Sequence, residues 1–178
     1  MTEPKERVEV LYSAPQVQER IRELGARITR DYQGQSVHLL GILRGSFMFL
    51  SDLSKYIEVP VTLDFIALSS YGQETKSSGV VKLQLDLGLS IKDKHVIVVE
   101  DIVDTGLTLS YLLKNLTLRA PASVKICTLL SKQARRQVEV PVDYIGFDIP
   151  DAFVIGFGLD YCQRYRNLPY IGIMHLED

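Results

Sequence analysis

Two periods of apolar spacing alternate along this chain. After Ser13 and Gln16, which have the spacing of a reciprocal helix cap, Val17, Ile21, Leu24 and Ile28 follow at steps of four, three and four. That is one face of an amphipathic first helix. Val37 to Ile42 is a short apolar run that predicts a buried strand, followed by a turn at Arg44–Gly45 and a helix through about Tyr56. Val61 to Leu68 is the next expected strand. Ser69 to Gly79 is polar, glycine-bearing and aperiodic, which suggests a mobile loop, and Val80 to Leu87 resumes alternation as a partner strand. The pair would form a flexible flap.

Lys92 to Lys94 make a turn into the strongest apolar run of the chain, Leu107 to Leu118 predict a helix, and Ser123 to Leu130 another buried strand. After a short polar helix the tail becomes irregular, with brief strands expected near Tyr144 to Phe147, Phe153 to Gly156 and Tyr170 to Met174. Alternating strand and helix over the first three-quarters implies an α/β fold, a doubly wound, mostly parallel sheet flanked by helices. The tail is expected to fold back as a small hood over the crevice. With 178 residues, 46% of them hydrophobic, and no internal repeat or linker, residues 1–178 read as a single domain.

The chemistry concentrates in VIVVEDIVDTGLTL, Val96 to Leu109. Four β-branched residues, Val96 to Val99, suit a strand buried on both faces of a parallel sheet. Glu100 and Asp101 then break the run where the strand is expected to surface, and in open α/β sheets ligands gather at the carboxyl ends of strands. Gly106 permits a tight turn, and the N–H groups of Thr105 to Thr108 can converge on an anion at the start of the next helix. An ordinary helix entry needs one capping oxygen. This segment supplies far more, and it reads as a sugar-phosphate site in which Glu100 and Asp101 accept hydrogen bonds from vicinal hydroxyls or contact a divalent cation.

This stretch resembles the signature of the type I phosphoribosyltransferases: an apolar strand, two adjacent acids and a D/T/S-T-G-x-T phosphate loop. Asp104 matches the 6-oxopurine branch of that family. The resemblance implies transfer of a ribose 5-phosphate from phosphoribosyl pyrophosphate to hypoxanthine or guanine, giving IMP or GMP plus pyrophosphate, with Mg²⁺ as cofactor. It implies that Asp104, Thr105, Gly106, Leu107 and Thr108 hold the 5-phosphate, and that Asp104 is also the catalytic acid/base; the simpler role for Asp104 is to cap the helix. Glu100 and Asp101 would face the ribose and, with Asp160, help hold the metal. Arg44 and Gly45, in a loop that often carries a cis peptide in the family, would bind pyrophosphate together with Arg166. Lys132, Phe153, Val154 and Asp160 would bind the purine: an ammonium group has donors and no acceptor, so Lys132 beside the 6-position favours a carbonyl over the amino group of adenine. Ser70 and Tyr71 of the flap would close over the site. Leu107 stands where many relatives carry a basic or polar residue, and Ala67 where some carry an arginine.

A net charge of −2 and a pI near 5.9 argue against nucleic acid as the main partner. The charged N-terminus lacks the apolar core of a secretory signal, and no apolar run approaches the ~20 residues that span a bilayer. The expectation is a cytoplasmic protein with no membrane partner, and the resemblance implies a homodimer or homotetramer. Cys127 and Cys162 have neither metal-ligand spacing nor the density of a disulfide scaffold. Two other readings stay open on these residues: a xanthine-preferring transferase, and a nucleotide-sensing regulator that binds nucleic acid.

Overall fold

The computed structural model describes residues 5–70 and 81–177. In chain order the elements are β1 (Lys5–Tyr12), α1 (Ala14–Asp31), β2 (Val37–Leu43), α2 (Phe47–Lys55), β3 (Val61–Ser70), β4 (Val81–Leu85), β5 (His95–Val103), α3 (Leu107–Thr117), β6 (Ser123–Ser131), a 3-10 turn (Gln133–Arg135), β7 (Tyr144–Asp148), β8 (Val154–Ile155) and β9 (Ile171–Glu177). Six strands form the main sheet in the order β4-β3-β2-β5-β6-β7, all parallel except β4, which runs antiparallel to β3. The expected doubly wound sheet is present.

Its two faces follow from strand alternation. Leu39, Ile97 and Val99 point to a core shared with Val17, Ile21, Leu24 and Ile28 of α1 and Phe49, Leu50 and Leu53 of α2. Their neighbours Leu40, Val96 and Val98 point the other way, onto Leu109, Leu112 and Leu116 of α3. Because helices cover both faces, the strands need apolar side chains at successive positions, and each fully buried aliphatic contributes roughly 1.5–3 kcal/mol. Gln16 accepts the Ser13 backbone N–H at 2.9 Å, so the spacing read as a cap does begin α1.

Several expectations shift. β5 does not stop at the acids: Glu100 pairs with Thr128, Ile102 with Leu130 and Val103 with Ser131. A neighbour of matching length carries the ladder past the change in side-chain polarity, since backbone pairing is indifferent to it. For the same reason β3 runs on through Ser69 and Ser70, paired with Lys82 and Val81 of β4, where a loop was expected. The polar helix after β6 is one 3-10 turn.

The hood is a second sheet, β1-β9-β8, in which the N-terminal strand β1 lies antiparallel to β9. The tail folds back as expected, but β1 was not anticipated. None of its described side chains is fully buried, so it is held by its pairing with β9 more than by a buried face. Val154, Phe157, Leu159 and Ile171 join the hood to the α1/α2 core.

Candidate active site

The turn between β5 and α3 is built around Gly106, which starts the helix with φ 83°. A Cβ there would meet the Val138 carbonyl oxygen at 2.4 Å, and the Thr105 carbonyl accepts the N–H groups of Gln137 and Val138 at 3.0 and 3.1 Å. The segment after the 3-10 turn therefore backs the loop and holds it against the strand ends. In front of it is a cavity of about 130 Å³ lined by Glu100, Ile102, Val103, Asp104, Thr105, Gly106, Thr108 and Leu109. Backbone N–H groups at a helix start and the Thr108 hydroxyl suit this cavity to an anion. Leu107 turns its side chain outward, 38% exposed, and offers only its N–H, 3.4 Å from Thr105 Oγ1.

Asp104 is not the helix cap: Gly106 holds that position, and no side chain caps α3. Asp104 Oδ1 is shut off from solvent with no hydrogen-bond partner among the described residues, and Oδ2 lies 3.8 Å from Arg135 Nη1. A buried acceptor without a donor is uncommon and calls for a reason.

A second cavity, about 400 Å³, adjoins the first. The end of β2 brings Arg44 and Gly45 to it, β5 brings Asp101 and Ile102, the loop brings Asp104, the end of β6 brings Lys132 and Arg135, and the hood brings Phe153, Val154, Leu159, Asp160 and Arg166. The Leu43–Arg44 peptide is cis, as in the resembling loop. Lys132, which an unaided reading would leave on the surface, is 6% exposed; Nζ donates to the Ala152 carbonyl at 2.9 Å and lies 3.8 Å from Asp151 Oδ1, beyond hydrogen-bond reach, so it keeps donors that can turn to a ligand. Phe153, 53% exposed, offers an open ring steadied edge-on by Tyr161. Met174 donates to the Phe153 carbonyl at 2.9 Å, and antiparallel alternation then turns the Val154 carbonyl away from β9, toward the sheet's free edge. Arg166 pairs with Asp160 at 2.8 Å and donates to the Gly158 carbonyl at 2.7 Å.

Burial pushes the Glu100 carboxyl well above the usual carboxylate range, and neighbouring Asp101 adds to the rise. Burial also raises Asp101, while hydrogen bonds from Glu100 and the backbone and the charge of Arg166 pull the other way. Consecutive residues of one strand face opposite sides, so Glu100 lines the loop cavity and Asp101 the larger one. Gly45 is where the acid needs room: a Cβ there would sit 1.6 Å from Asp101 Oδ2. Among the described residues no three His, Cys, Asp or Glu side chains gather closely enough to hold a metal by themselves. Glu100, Asp101 and Asp160 are hard oxygen donors, and two of them are carboxylates that burial makes costly to ionise, which suits them to complete the shell of a cation that arrives with other oxygen ligands.

Residues 7–162 match the phosphoribosyl transferase domain family. The chain belongs to the phosphoribosyltransferase family. It is 51% identical over 177 residues to a hypoxanthine phosphoribosyltransferase from Haemophilus influenzae, covering 98% of this chain and 99% of the relative. It is 46% identical over 165 residues to a hypoxanthine-guanine phosphoribosyltransferase from Bacillus subtilis, covering 93% and 92%. Among solved structures, a hypoxanthine-guanine phosphoribosyltransferase from Bacillus anthracis superposes with a TM-score of 0.90 at 42% identity, over 96% of this chain and 99% of that one.

Of the residues expected at the phosphoribosyltransferase site, Asp104, Thr105, Gly106 and Thr108 of the loop, the acids, Arg44, Gly45, Lys132, Phe153, Val154, Asp160 and Arg166 converge on the two cavities; Leu107, turned outward, lines neither. Tyr71 lies outside the described residues; Ser70 ends β3, and its side chain also lies outside them. Sequence reasoning missed Ile102 and Arg135, which line the cavities, and Glu6, which accepts hydrogen bonds from Arg164 and Tyr165 and so ties β1 to the hood. Ile102 was readable as the alternate position after Glu100; nothing local marks Glu6. No helix among the described residues is long and apolar enough to cross a membrane.

Proposed function

We propose that this protein transfers the 5-phosphoribosyl group of phosphoribosyl pyrophosphate to hypoxanthine or guanine, releasing IMP or GMP and pyrophosphate, a purine-salvage reaction. One observation carries the reading: Ile102 and Asp104 line both the loop cavity and the larger cleft. A 5-phosphate on the amides of Thr105 to Thr108 directs the pentose to that shared wall, beside the cleft that takes a flat base and a pyrophosphate.

Each step then has a residue. Glu100 and Asp101 accept the ribose hydroxyls and favour positive charge developing at the reacting carbon. Asp104, on the wall shared by the two cavities, takes the proton that leaves one imidazole nitrogen of the purine as the other forms the new bond. Lys132 donates to the 6-oxo group, Phe153 stacks on the ring, and the Val154 carbonyl accepts from the exocyclic amino group of guanine. Arg44, the Gly45 amide and Arg166 hold pyrophosphate. Ser70 and Tyr71 close over the site and exclude water. Glu100, Asp101 and Asp160 would hold Mg²⁺, which would neutralise charge on the leaving group. A cytoplasmic homodimer or homotetramer completes the reading, and the half-exposed Leu63, Leu85 and Leu89 are apolar surface that such an assembly would cover.

The test is a set of steady-state rates with guanine, hypoxanthine, xanthine and adenine, each with and without Mg²⁺. Turnover is expected with hypoxanthine and guanine, dependent on the metal, and little with adenine, whose amino group meets a donor at Lys132. Xanthine as the preferred base would move the specificity, and no turnover with any 6-oxopurine would overturn the proposal.

A further inference from the structure

The hood turn that carries Arg166 is unusual at the residue between its two anchors. Tyr161 and Arg164 exchange both backbone hydrogen bonds, at 3.1 and 2.9 Å, so Cys162 and Gln163 are the centre of a two-residue hairpin. Both have positive φ, 50° and 63°, the hand of a type I′ turn. Such turns favour Asn-Gly or Gly-Gly, and a long side chain in this conformation works against local preference. Residues that break a local rule are expected where function compensates.

Gln163 has such a compensation. Its Oε1 accepts from Arg44 Nη1 at 3.2 Å and from Arg166 Nη2 at 3.1 Å, while its backbone N–H donates to Asp160 Oδ2 at 2.8 Å. One neutral amide oxygen thus spans two guanidinium groups that come from opposite walls of the cleft, the β2 loop and the hood. Arg166 is also held by Asp160 and the Gly158 carbonyl, so without Gln163 it is Arg44 that is released, repelled by the like charge of Arg166, and that must be ordered when an anion binds. A second carboxylate beside Asp160 would hold them as well but would cancel more of the field that draws the anion.

We propose that Gln163 is a positioning residue that holds Arg44 and Arg166 together as a preformed clamp for the pyrophosphate group. This rests on the phosphoribosyl-transfer reading above. Three variants separate the clamp from the turn: Gln163→Gly, which eases the backbone and deletes the amide; Gln163→Leu, which keeps bulk without an acceptor; and Gln163→Glu, which keeps the acceptor and adds charge. Calorimetry with magnesium pyrophosphate and steady-state kinetics are the readouts. Affinity for pyrophosphate should fall several-fold, up to about tenfold, in the Gly and Leu variants, from the Arg44 side chain that must now be ordered on binding. The KM for phosphoribosyl pyrophosphate should rise in step, while the KM for hypoxanthine and the Tm of the Gly variant stay near wild type. The Glu variant should bind pyrophosphate more weakly than the Gly variant. Unchanged pyrophosphate affinity in the Gly and Leu variants, or equal losses for both substrates, would overturn the clamp while leaving the reaction intact. A wild-type protein that binds neither pyrophosphate nor its phosphoribosyl ester would overturn both.

Discussion

Asp104 is where bond formation is controlled in this reading, and its environment gives the reason. Asp104 lines both cavities, with one carboxylate oxygen buried without a donor and the accessible one 3.8 Å from Arg135, so the group stands where the pentose and the base would meet. Asp104→Asn should lower kcat by roughly 10²-fold or more, the size of general acid–base effects, with Tm and the KM for phosphoribosyl pyrophosphate near wild type. Rapid kinetics and a melting curve check it, and near-normal turnover would remove the proton-transfer role. Asp104 was legible because its neighbours spell a phosphate loop. Lys132 was legible only through the resemblance: its burial is produced by the hood carbonyl of Ala152, twenty residues along the chain, to which it donates.

The β5–α3 connection works as a unit because Gly106 supplies both a left-handed backbone and a gap. Gly106→Ala would force φ near 83° on a residue with a Cβ and drive that atom toward the Val138 carbonyl. Such strain costs about 1–3 kcal/mol before the clash is counted. At roughly 2–4 °C per kcal/mol for a chain of this size, Tm should drop by at least a few degrees. The KM for phosphoribosyl pyrophosphate should rise more than that for hypoxanthine, because the deformed loop faces the 5-phosphate. An Ala variant with wild-type Tm and KM values would show that the loop is not held as described. Both glycines are readable as turn residues, Gly106 from the loop and Gly45 from its turn after β2; what the sequence does not show is that Asp101, from a different strand, crowds Gly45.

Binding machinery also bears on the stability of the folded chain. Burial raises the Glu100 carboxyl above its ordinary value of 4.5, with Asp101 adding to the effect, so the folded protein holds that proton more tightly than the unfolded chain. Unfolding then releases a proton as pH climbs through the window between the ordinary and the raised value. Stability of the ligand-free protein should fall across that window and level off above it. Glu100→Gln should flatten much of the decline and raise Tm above the window while impairing turnover; melting curves over a pH series decide it, and a parallel decline in the variant would show that Glu100 is not the cause. In the proposed reading the acids are a case of function maintained against stability. The hood is held through Glu6 of β1, so the start of the chain bears on a turn more than 150 residues away.

Local chemistry was enough to read the strand and helix order, the capping of α1, the phosphate loop and the pairing of acids with it, since periodicity, glycine and backbone N–H groups act over a few residues. Strand ends, the antiparallel β1 and the face each acid takes were set by partners far along the chain: a ladder continues as long as its neighbour does, whatever its side chains. Charge and burial behave in the same way. Lys132 becomes an interior donor, Glu100 and Asp101 become reluctant acids, and Gln163 spans two arginines only once the hood has closed on the strand ends, because desolvation and contact belong to the assembled shape and leave no mark on any short stretch of residues.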